Sequence, residues 1–324
     1  GVMENSSDKL SSKKVHRREP KPSWIKVKPP AGETYFGIKN MLKDLQIATV
    51  CQEAGCPNIA ECWQGGTATF MIMGDTCTRG CRFCSVNTAK LDGVLPVDEP
   101  EKVSYALSKM DLKYVVITSV DRDDVPDGGA AHFAKTIDLI HQSCPDLLIE
   151  VLTPDFSGVE AHIDKIISAK PDVFAQNIET VKRLTKRVRD PRAGYEQTLQ
   201  VLKYIKQQVP PMITKTSIML GLGETEDEVM ETLKDLRSVG CDVVTFGQYL
   251  QPSKKQLKVE KFYTPEEFDY WKIVADNLGF FYVASGPLVR SSYKAGEYFM
   301  QGMIKKMKTQ EQQLEKEGGT NVGG

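Results

Sequence analysis

The chain has 324 residues, 40% of them hydrophobic, and sets 42 lysines and arginines against 43 aspartates and glutamates for a net charge of −1. It is long enough to bury a large core, as one big α/β domain or two smaller ones, and its balanced charge gives no global field for nucleic acid or an anionic membrane. No apolar run reaches bilayer-spanning length, the start has no signal-peptide-like stretch, and eight cysteines in so large a chain read as reduced thiols, so a soluble intracellular protein is expected.

Residues 1–22 are polar, lack periodic hydrophobes and carry Lys13, Lys14, Arg17 and Arg18, which predicts a flexible, solvated basic arm. An extension over 23–66 follows, holding three cysteines. From residue 67 the chain alternates apolar runs with amphipathic segments. The runs are TATFMIM (67–73), YVVITSV (114–120), LLIEVLTP (147–154), DVFAQNIET (172–180), MITKTSIML (212–220) and VVTFGQYL (243–250), rich in β-branched and aromatic residues and read as buried parallel strands.

The helices between them have legible ends. Val103, Ala106, Leu107 and Met110 recur at helical intervals after Asp98. Thr225 and Glu228 have capping-box spacing, Val229, Leu233 and Leu236 share a face, and Gly240 ends the segment. Thr264, Pro265 and Glu267 repeat the opening, and Gly279 the stop.

Six β-α units imply a parallel α/β architecture, satisfied by an open doubly wound sheet or by a full or partial barrel. Polar residues crowd the ends of nearly every strand, in SVDRDD, NIET and GLGE, as a barrel-rim active site requires. A barrel over residues 67–260 is therefore favoured. Residues 261–303 form a C-terminal extension, and 304–324 a charged, glycine-rich tail expected to be a frayed helix and loose end.

Six of the eight cysteines fall in two triplets, Cys51/Cys56/Cys62 and Cys77/Cys81/Cys84. The second is a CxxxCxxC placed directly after the first strand. The four histidines, His16, His132, His141 and His162, are all distant from it in sequence, which makes zinc the second choice. Three close thiolates suit a 4Fe–4S cluster, which normally takes four ligands, so one iron is left open to bind a small molecule. The first triplet lies before the first strand in a loop-forming stretch, where a second cluster is a better account than three ordinary buried thiols. An electron carrier, a zinc-stapled module and a radical enzyme that uses a second cluster to hold substrate are the rival readings.

CxxxCxxC with Phe83 before its last cysteine resembles the motif of the radical S-adenosylmethionine superfamily. CQEAGCPNIAECW, GDTCTRGCRFC, TSVDRDDVPDGGAAHF, TKTSIMLGLGET, GQYLQPS and SGPLVRSSY, met in that order, are similar to the lipoyl synthase family within it. The resemblance implies a partial (βα)6 TIM-type barrel with N- and C-terminal extensions, two 4Fe–4S clusters and S-adenosylmethionine as cosubstrate. It also implies a sulfurtransferase that inserts sulfur at carbons 6 and 8 of a protein-bound octanoyl-lysine, in which 5′-deoxyadenosyl radicals abstract hydrogen and the auxiliary cluster donates sulfur. Cys77, Cys81 and Cys84 would hold the cluster with the open iron. Cys51, Cys56, Cys62 and, by resemblance alone, Ser292 would hold the auxiliary one.

For S-adenosylmethionine the resemblance points to the backbone at Gly128 and Gly129 for the methionine amino group, Asn177 and Glu179 for the ribose, and Gly221 near the adenine. For the glycines, plain turns are the competing reading. Lys215 interrupts an apolar strand and needs a partner if it faces the interior, or else snorkels outward. Cys144 and Cys241 are expected to be ordinary small residues.

The implied partners are octanoylated lipoyl-domain proteins (the glycine cleavage H protein and the acyltransferase subunits of 2-oxoacid dehydrogenases), a ferredoxin- or flavodoxin-type reductant and an iron–sulfur carrier protein, with no nucleic acid and no membrane. A monomer in a bacterial-type cytoplasm is expected, with the mitochondrial matrix or a plastid as the alternative.

Overall fold

The structure is a computed structural model and describes residues 20–25, 33–49, 62–63, 65–291 and 294–318. Helix α1 (Glu33–Asp44) leads to the short strand β1 (Ala48–Thr49). Then come β2 (Thr67–Ile72), the two-residue strands β3 (Thr76–Cys77) and β4 (Asn87–Thr88), α2 (Glu99–Ser108), β5 (Tyr114–Ser119), α3 (Ala130–Ser143), β6 (Leu148–Leu152), α4 (Glu160–Ser168) and β7 (Val173–Ala175). The second half holds α5 (Thr185–Val188), α6 (Tyr195–Gln208), β8 (Ile213–Leu220), α7 (Glu226–Ser238), β9 (Val243–Gln248), α8 (Pro265–Asn277), β10 (Tyr282–Ser285) and α9 (Ala295–Gly318).

The main sheet runs β1-β2-β5-β6-β7-β8-β9-β10, parallel throughout except for β1, which pairs antiparallel with β2 at one edge. Strands buried on both faces belong to this architecture: all six residues of β2 and of β9 are buried, so periodicity 2 is lost and β-branched and aromatic side chains fill both surfaces. The six expected strands are all present. A seventh parallel strand, β10, pairs with β9. The DVFAQNIET strand is shorter than expected: the ladder stops at Ala175, and Glu179 keeps a single bridge to Ile218.

Both capping boxes form, with the Thr225 and Thr264 hydroxyls accepting from the Glu228 and Glu267 amides. Gly240 and Gly279 follow these two helices at φ 77° and 91°, the left-handed region that glycine enters without cost.

Two apolar layers lie between sheet and helices. One packs α2, α3 and α4 onto β2 and β5–β7 through residues such as Phe133, Ile137 and Ile117, and the other packs α7 and α8 onto β8–β10 through Leu233, Leu236, Phe246 and Trp271. Each fully buried side chain of this size contributes about 1.5–3 kcal/mol. The barrel interior at the strands' N-terminal ends is filled by Tyr114, Val116, Val173 and, from α9, Ala295.

Helix α9 spans from one side of the open sheet to the other. Tyr298 packs on Tyr282 of β10, and Phe299 on Tyr114 of β5, with ring centroids 5.4 and 5.7 Å apart. A Cβ on Gly296 would lie 2.6 Å from the Tyr114 side chain, so a glycine is required at this crossing. With this end plugged, the strands' C-terminal ends form the open cup. No helix among the described residues is long and apolar enough to cross a membrane.

Candidate functional site

The chain leaves β2 through Met73 and Gly74, both at positive φ, and enters a loop closed at its base by the parallel β3/β4 pair. Cys77 lies in β3, and Cys81 and Cys84 lie in the loop that β3 and β4 bracket. The Cys77 sulfur accepts from the amides of Arg79 at 3.4 Å and Asp121 at 3.3 Å, and the Cys81 sulfur from the Asp190 amide at 3.3 Å. All three side chains are half-buried.

Burial pushes the Cys77 thiol up to about 11 and the Cys81 thiol up to about 12, and Cys84 rises for the same first reason. The Asp121 carboxylate adds to all three. The free thiols therefore hold their protons at neutral pH, and a bound cationic centre must displace them. Amides aimed at sulfur favour the thiolate once it forms and tune a cluster's potential. Among the described residues no three His, Cys, Asp or Glu side chains converge on one point as a single metal ion requires. A cubane, whose irons occupy separate corners, does not need that convergence, and the three cysteines fit it by donor type and number.

Arg79, inside the motif, fastens this loop to the rim. Its guanidinium forks onto Asp123 at 2.9 and 2.9 Å and onto Asp155 at 2.8 and 3.0 Å, and Asp121 lies 3.7 Å away. Burial opposes its charge, but the hydrogen bonds it donates to the Asp123 and Asp155 carboxylates hold its pKa well above the ordinary arginine value. Asp190 pins the other side: it accepts from the Gly80 amide at 2.9 Å and from Arg192 Nε at 2.9 Å, and is held well below the usual carboxylate range by that arginine.

Behind the loop is a cavity of about 170 Å³ that Cys81 and Phe83 share with Ser119, Thr153, Asn177 and Glu179 from the ends of β5, β6 and β7. Ser119 Oγ, Thr153 Oγ1 and Asn177 Oδ1 are buried there without a hydrogen-bond partner. Such atoms are expensive to leave unpaired, so their convergence on one cavity points to a polar ligand. Glu179 sits at φ 68°, a strained conformation for this residue that the surrounding structure must impose. Withdrawal from water raises its carboxyl, which buried Arg189 and a hydrogen bond from Asn177 partly offset. A carboxylate so placed can accept from a pair of hydroxyls.

Asn177, Glu179 and Cys81 thus share one cavity, beside which the loop places Cys77 and Cys84. Gly128, Gly129 and Gly221 are not among its lining residues. Gly128 and Gly129, at φ 63° and 89°, form the entry to α3, where the Asp127 carboxylate accepts from the Gly129 and Ala131 amides at 2.9 Å. A Cβ on Gly129 would collide with Met73 Sδ at 2.1 Å. Gly221 lets a later loop come close, since its Cβ would lie 2.6 Å from the Lys261 carbonyl.

Of the first triplet, Cys62 is described and buried beside Trp63, while Cys51, Cys56 and Ser292 lie outside the described residues. Lys215 faces inward and reaches Glu150 at 2.9 Å, which removes the snorkelling reading. Buried Cys241 and half-buried Cys144 stand apart from the site. Arg79, Asp155 and Asp190 had no sequence reading as site residues, and Ser119 and Thr153 were read only as polar residues at strand ends on the rim. The acidic crowding after the second strand and an arginine inside the cysteine motif were the available signals.

Residues 71–236 match the model of the radical SAM superfamily, and residues 2–56 that of the N-terminal domain of lipoyl synthase of the radical SAM family. The chain is 55% identical over 92% of its length to the mitochondrial lipoyl synthase of Schizosaccharomyces pombe, covering 81% of that protein. It is 54% identical over 89% of its length to the mitochondrial lipoyl synthase of Bos taurus, covering 79%. Among solved structures, the fold is similar to the FeFe-hydrogenase maturase HydG from Carboxydothermus hydrogenoformans, with a TM-score of 0.52 at 13% identity over 76% of this chain and 64% of that one. The expectation of a bacterial-type cytoplasmic protein is overturned by these relatives, which are named mitochondrial. It rested on reduced cysteines and balanced charge, which suit any reducing compartment and do not separate a bacterial cytosol from an organelle.

Proposed function

The chain belongs to the lipoyl synthase family of the radical S-adenosylmethionine superfamily, and from that membership we propose how its own residues divide the work. The activity is that of a sulfurtransferase that inserts two sulfur atoms at carbons 6 and 8 of an octanoyl chain carried on a lysine of a lipoyl-domain protein, using S-adenosylmethionine and 4Fe–4S clusters. When bound, the cluster of the CxxxCxxC loop supplies one electron to S-adenosylmethionine for a 5′-deoxyadenosyl radical, and the auxiliary cluster supplies sulfur.

Cys77, Cys81 and Cys84 are assigned as the three thiolates of the first cluster. Arg79 and Asp190 hold their loop on the rim, and the amides of Arg79, Asp121 and Asp190 point at two of the sulfurs. Asn177 and Glu179 are assigned to the ribose hydroxyls, with Ser119 and Thr153 orienting the cosubstrate's other polar groups. The observation that carries this reading is the set of three partnerless buried polar atoms on the cavity that Cys81 lines.

Cys51, Cys56, Cys62 and Ser292 are assigned to the auxiliary cluster. In support, Cys51 follows β1 by two residues and Ser292 follows β10 by seven, and these are the two edge strands of the open sheet. The octanoylated glycine cleavage H protein and the acyltransferase subunits of 2-oxoacid dehydrogenases are the proposed substrates, in the mitochondrial matrix, with the enzyme a monomer. A ferredoxin- or flavodoxin-type reductant and an iron–sulfur carrier protein are the proposed helpers.

The test is anaerobic incubation of the reduced, reconstituted protein with S-adenosylmethionine and an octanoyl-lysine peptide. Gain of two sulfurs with loss of four hydrogens supports the assignment. Formation of 5′-deoxyadenosine without that mass change refutes it.

A further inference from the structure

We propose that Met73 is a positioning residue for the cysteine loop and that Gly129 is its socket. The proposal rests on the reading that Cys77, Cys81 and Cys84 hold a cluster, and it concerns what fixes the point from which their loop departs.

The β2/β5 ladder ends at the Ile72–Ser119 pair, so Met73 is the first residue whose main chain leaves the sheet, and Cys77 follows four residues later. Met73 is wholly buried, where an unpaired amide or carbonyl is costly. Two charged side chains take these groups. The Met73 amide donates to Glu99 Oε1 at 2.7 Å, and its carbonyl accepts from Arg122 Nη1 at 3.0 Å. Each clamp is held in turn: Glu99 Oε1 lies 2.8 Å from His132 Nε2, and Arg122 forks onto Asp124 at 2.9 and 2.8 Å.

The side chain is fixed as firmly as the backbone. Met73 sits at φ 66°, which costs a residue with a Cβ about 1–3 kcal/mol that glycine would not incur. What the side chain gains there is a slot at Gly129, the N-cap of α3. A Cβ on Gly129 would lie 2.6 Å from Met73 Cε and nearer still to the sulfur, and the three atoms nearest to it all belong to Met73. By contrast, a Cβ on Gly74 would meet nothing within 4 Å. The steric demand for glycine at 129 therefore comes from Met73. An unbranched thioether is the side chain best able to bend into such a gap.

Three elements thus converge on one residue: the first turn of α2 through Glu99, the chain after β5 through Arg122, and the entry to α3 through Gly129. Cluster ligands need placement to within about 0.5 Å. A residue gripped at its amide, its carbonyl and its thioether, four positions before the first of them, passes that precision from the helices to the loop.

The experiment uses the full-length reconstituted protein beside Met73→Ala, Gly129→Ala and the double variant. Three quantities are read: the part of the reduced protein's electron paramagnetic resonance signal that S-adenosylmethionine perturbs, the rate at which a chelator strips that part, and thermal melts of the cluster-free chains. Gly129→Ala should speed stripping roughly tenfold or more, and Met73→Ala roughly threefold or more with a changed signal. The double variant should be stripped no faster than Met73→Ala alone, because no sulfur remains to collide. The backbone strain of alanine at position 129 is common to both backgrounds and cancels in the cycle. Equal damage from Gly129→Ala in both backgrounds overturns the proposal, since the glycine would then serve something other than Met73. So does a Met73→Ala that melts earlier but keeps the unmodified signal and stripping rate, the behaviour of an ordinary core residue; this arm decides even where Gly129→Ala does not fold. Cys77→Ala controls the underlying reading. If it retains the S-adenosylmethionine-sensitive signal, the cluster assignment fails, while the melts still read whether Met73 and Gly129 are coupled.

Discussion

Arg79 Nη1 lies 2.8 Å from Asp155 Oδ2, joining the middle of the cysteine motif to the end of β6 across 76 residues of sequence, with both side chains almost wholly buried. The guanidinium fits here because its planar fork meets two carboxylates bidentately, a geometry that a lysine ammonium cannot reproduce. Arg79→Lys should therefore loosen the loop without emptying the charge. We expect the variant to lose most of the iron bound by the Cys77/Cys81/Cys84 set on reconstitution, while far-ultraviolet circular dichroism is unchanged. Full iron content in the variant would show that the clamp is dispensable.

Asp190 sets a pH dependence on the same loop. Its folded-state pKa is depressed below the unfolded carboxylate value, first by the Arg192 hydrogen bond. A depressed carboxylate contributes stability that is fully present above the unfolded value of about 3.9 and is lost as pH falls below it. Asp190→Asn should cost about 1–3 kcal/mol at pH 7, and urea midpoints of the two proteins should converge as pH is lowered toward 3. A gap that stays constant with pH would exclude a role for the charge.

At the closed end of the barrel, Lys215 Nζ donates to Glu150 at 2.9 and 3.2 Å, and the Tyr114 hydroxyl donates to Glu150 at 2.7 Å. A buried pair contributes little net stability when intact, but breaking it strands a charge. Lys215→Met alone should cost about 3–5 kcal/mol, whereas Lys215→Met with Glu150→Gln and Tyr114→Phe should recover most of that loss. Chemical denaturation of the three proteins measures both. The pair lies at the opposite end from the cavity, so the turnover of folded molecules should not change.

What was legible in the sequence was local. The Thr225/Glu228 and Thr264/Glu267 boxes form because their partners are three residues apart, and the glycines that end those helices need no tertiary context. Strand β10 escaped because YVAS is four residues long and gains its identity from pairing with β9. The DVFAQNIET run was read as one strand because periodicity cannot see Glu179 turn to positive φ where the cavity begins. Asp155 and Asp190 could not be placed at the cysteine loop from sequence, since the partners they hold there, Arg79 and Gly80, are 76 residues and 110 residues away. Lys215 was ambiguous for the same reason, as its partner Glu150 belongs to another strand.

Glu179 lines the cavity that Cys81 also lines, and its variant separates ligand binding from folding. The side chain lines the cavity at strained φ with its carboxyl raised by burial, so replacing it with the isosteric amide removes a charge the fold finds costly. Glu179→Gln should therefore leave stability unchanged or slightly raise it, in contrast to Arg79→Lys. If the carboxylate accepts from ribose hydroxyls, losing those charged hydrogen bonds costs about 1.5–3 kcal/mol. That corresponds to an S-adenosylmethionine affinity weaker by roughly ten- to a hundredfold. Equilibrium dialysis of the reconstituted protein with labelled S-adenosylmethionine, beside a thermal melt, reads both quantities. Unaltered affinity at unaltered stability would remove Glu179 from the binding site and leave its backbone strain without a functional account.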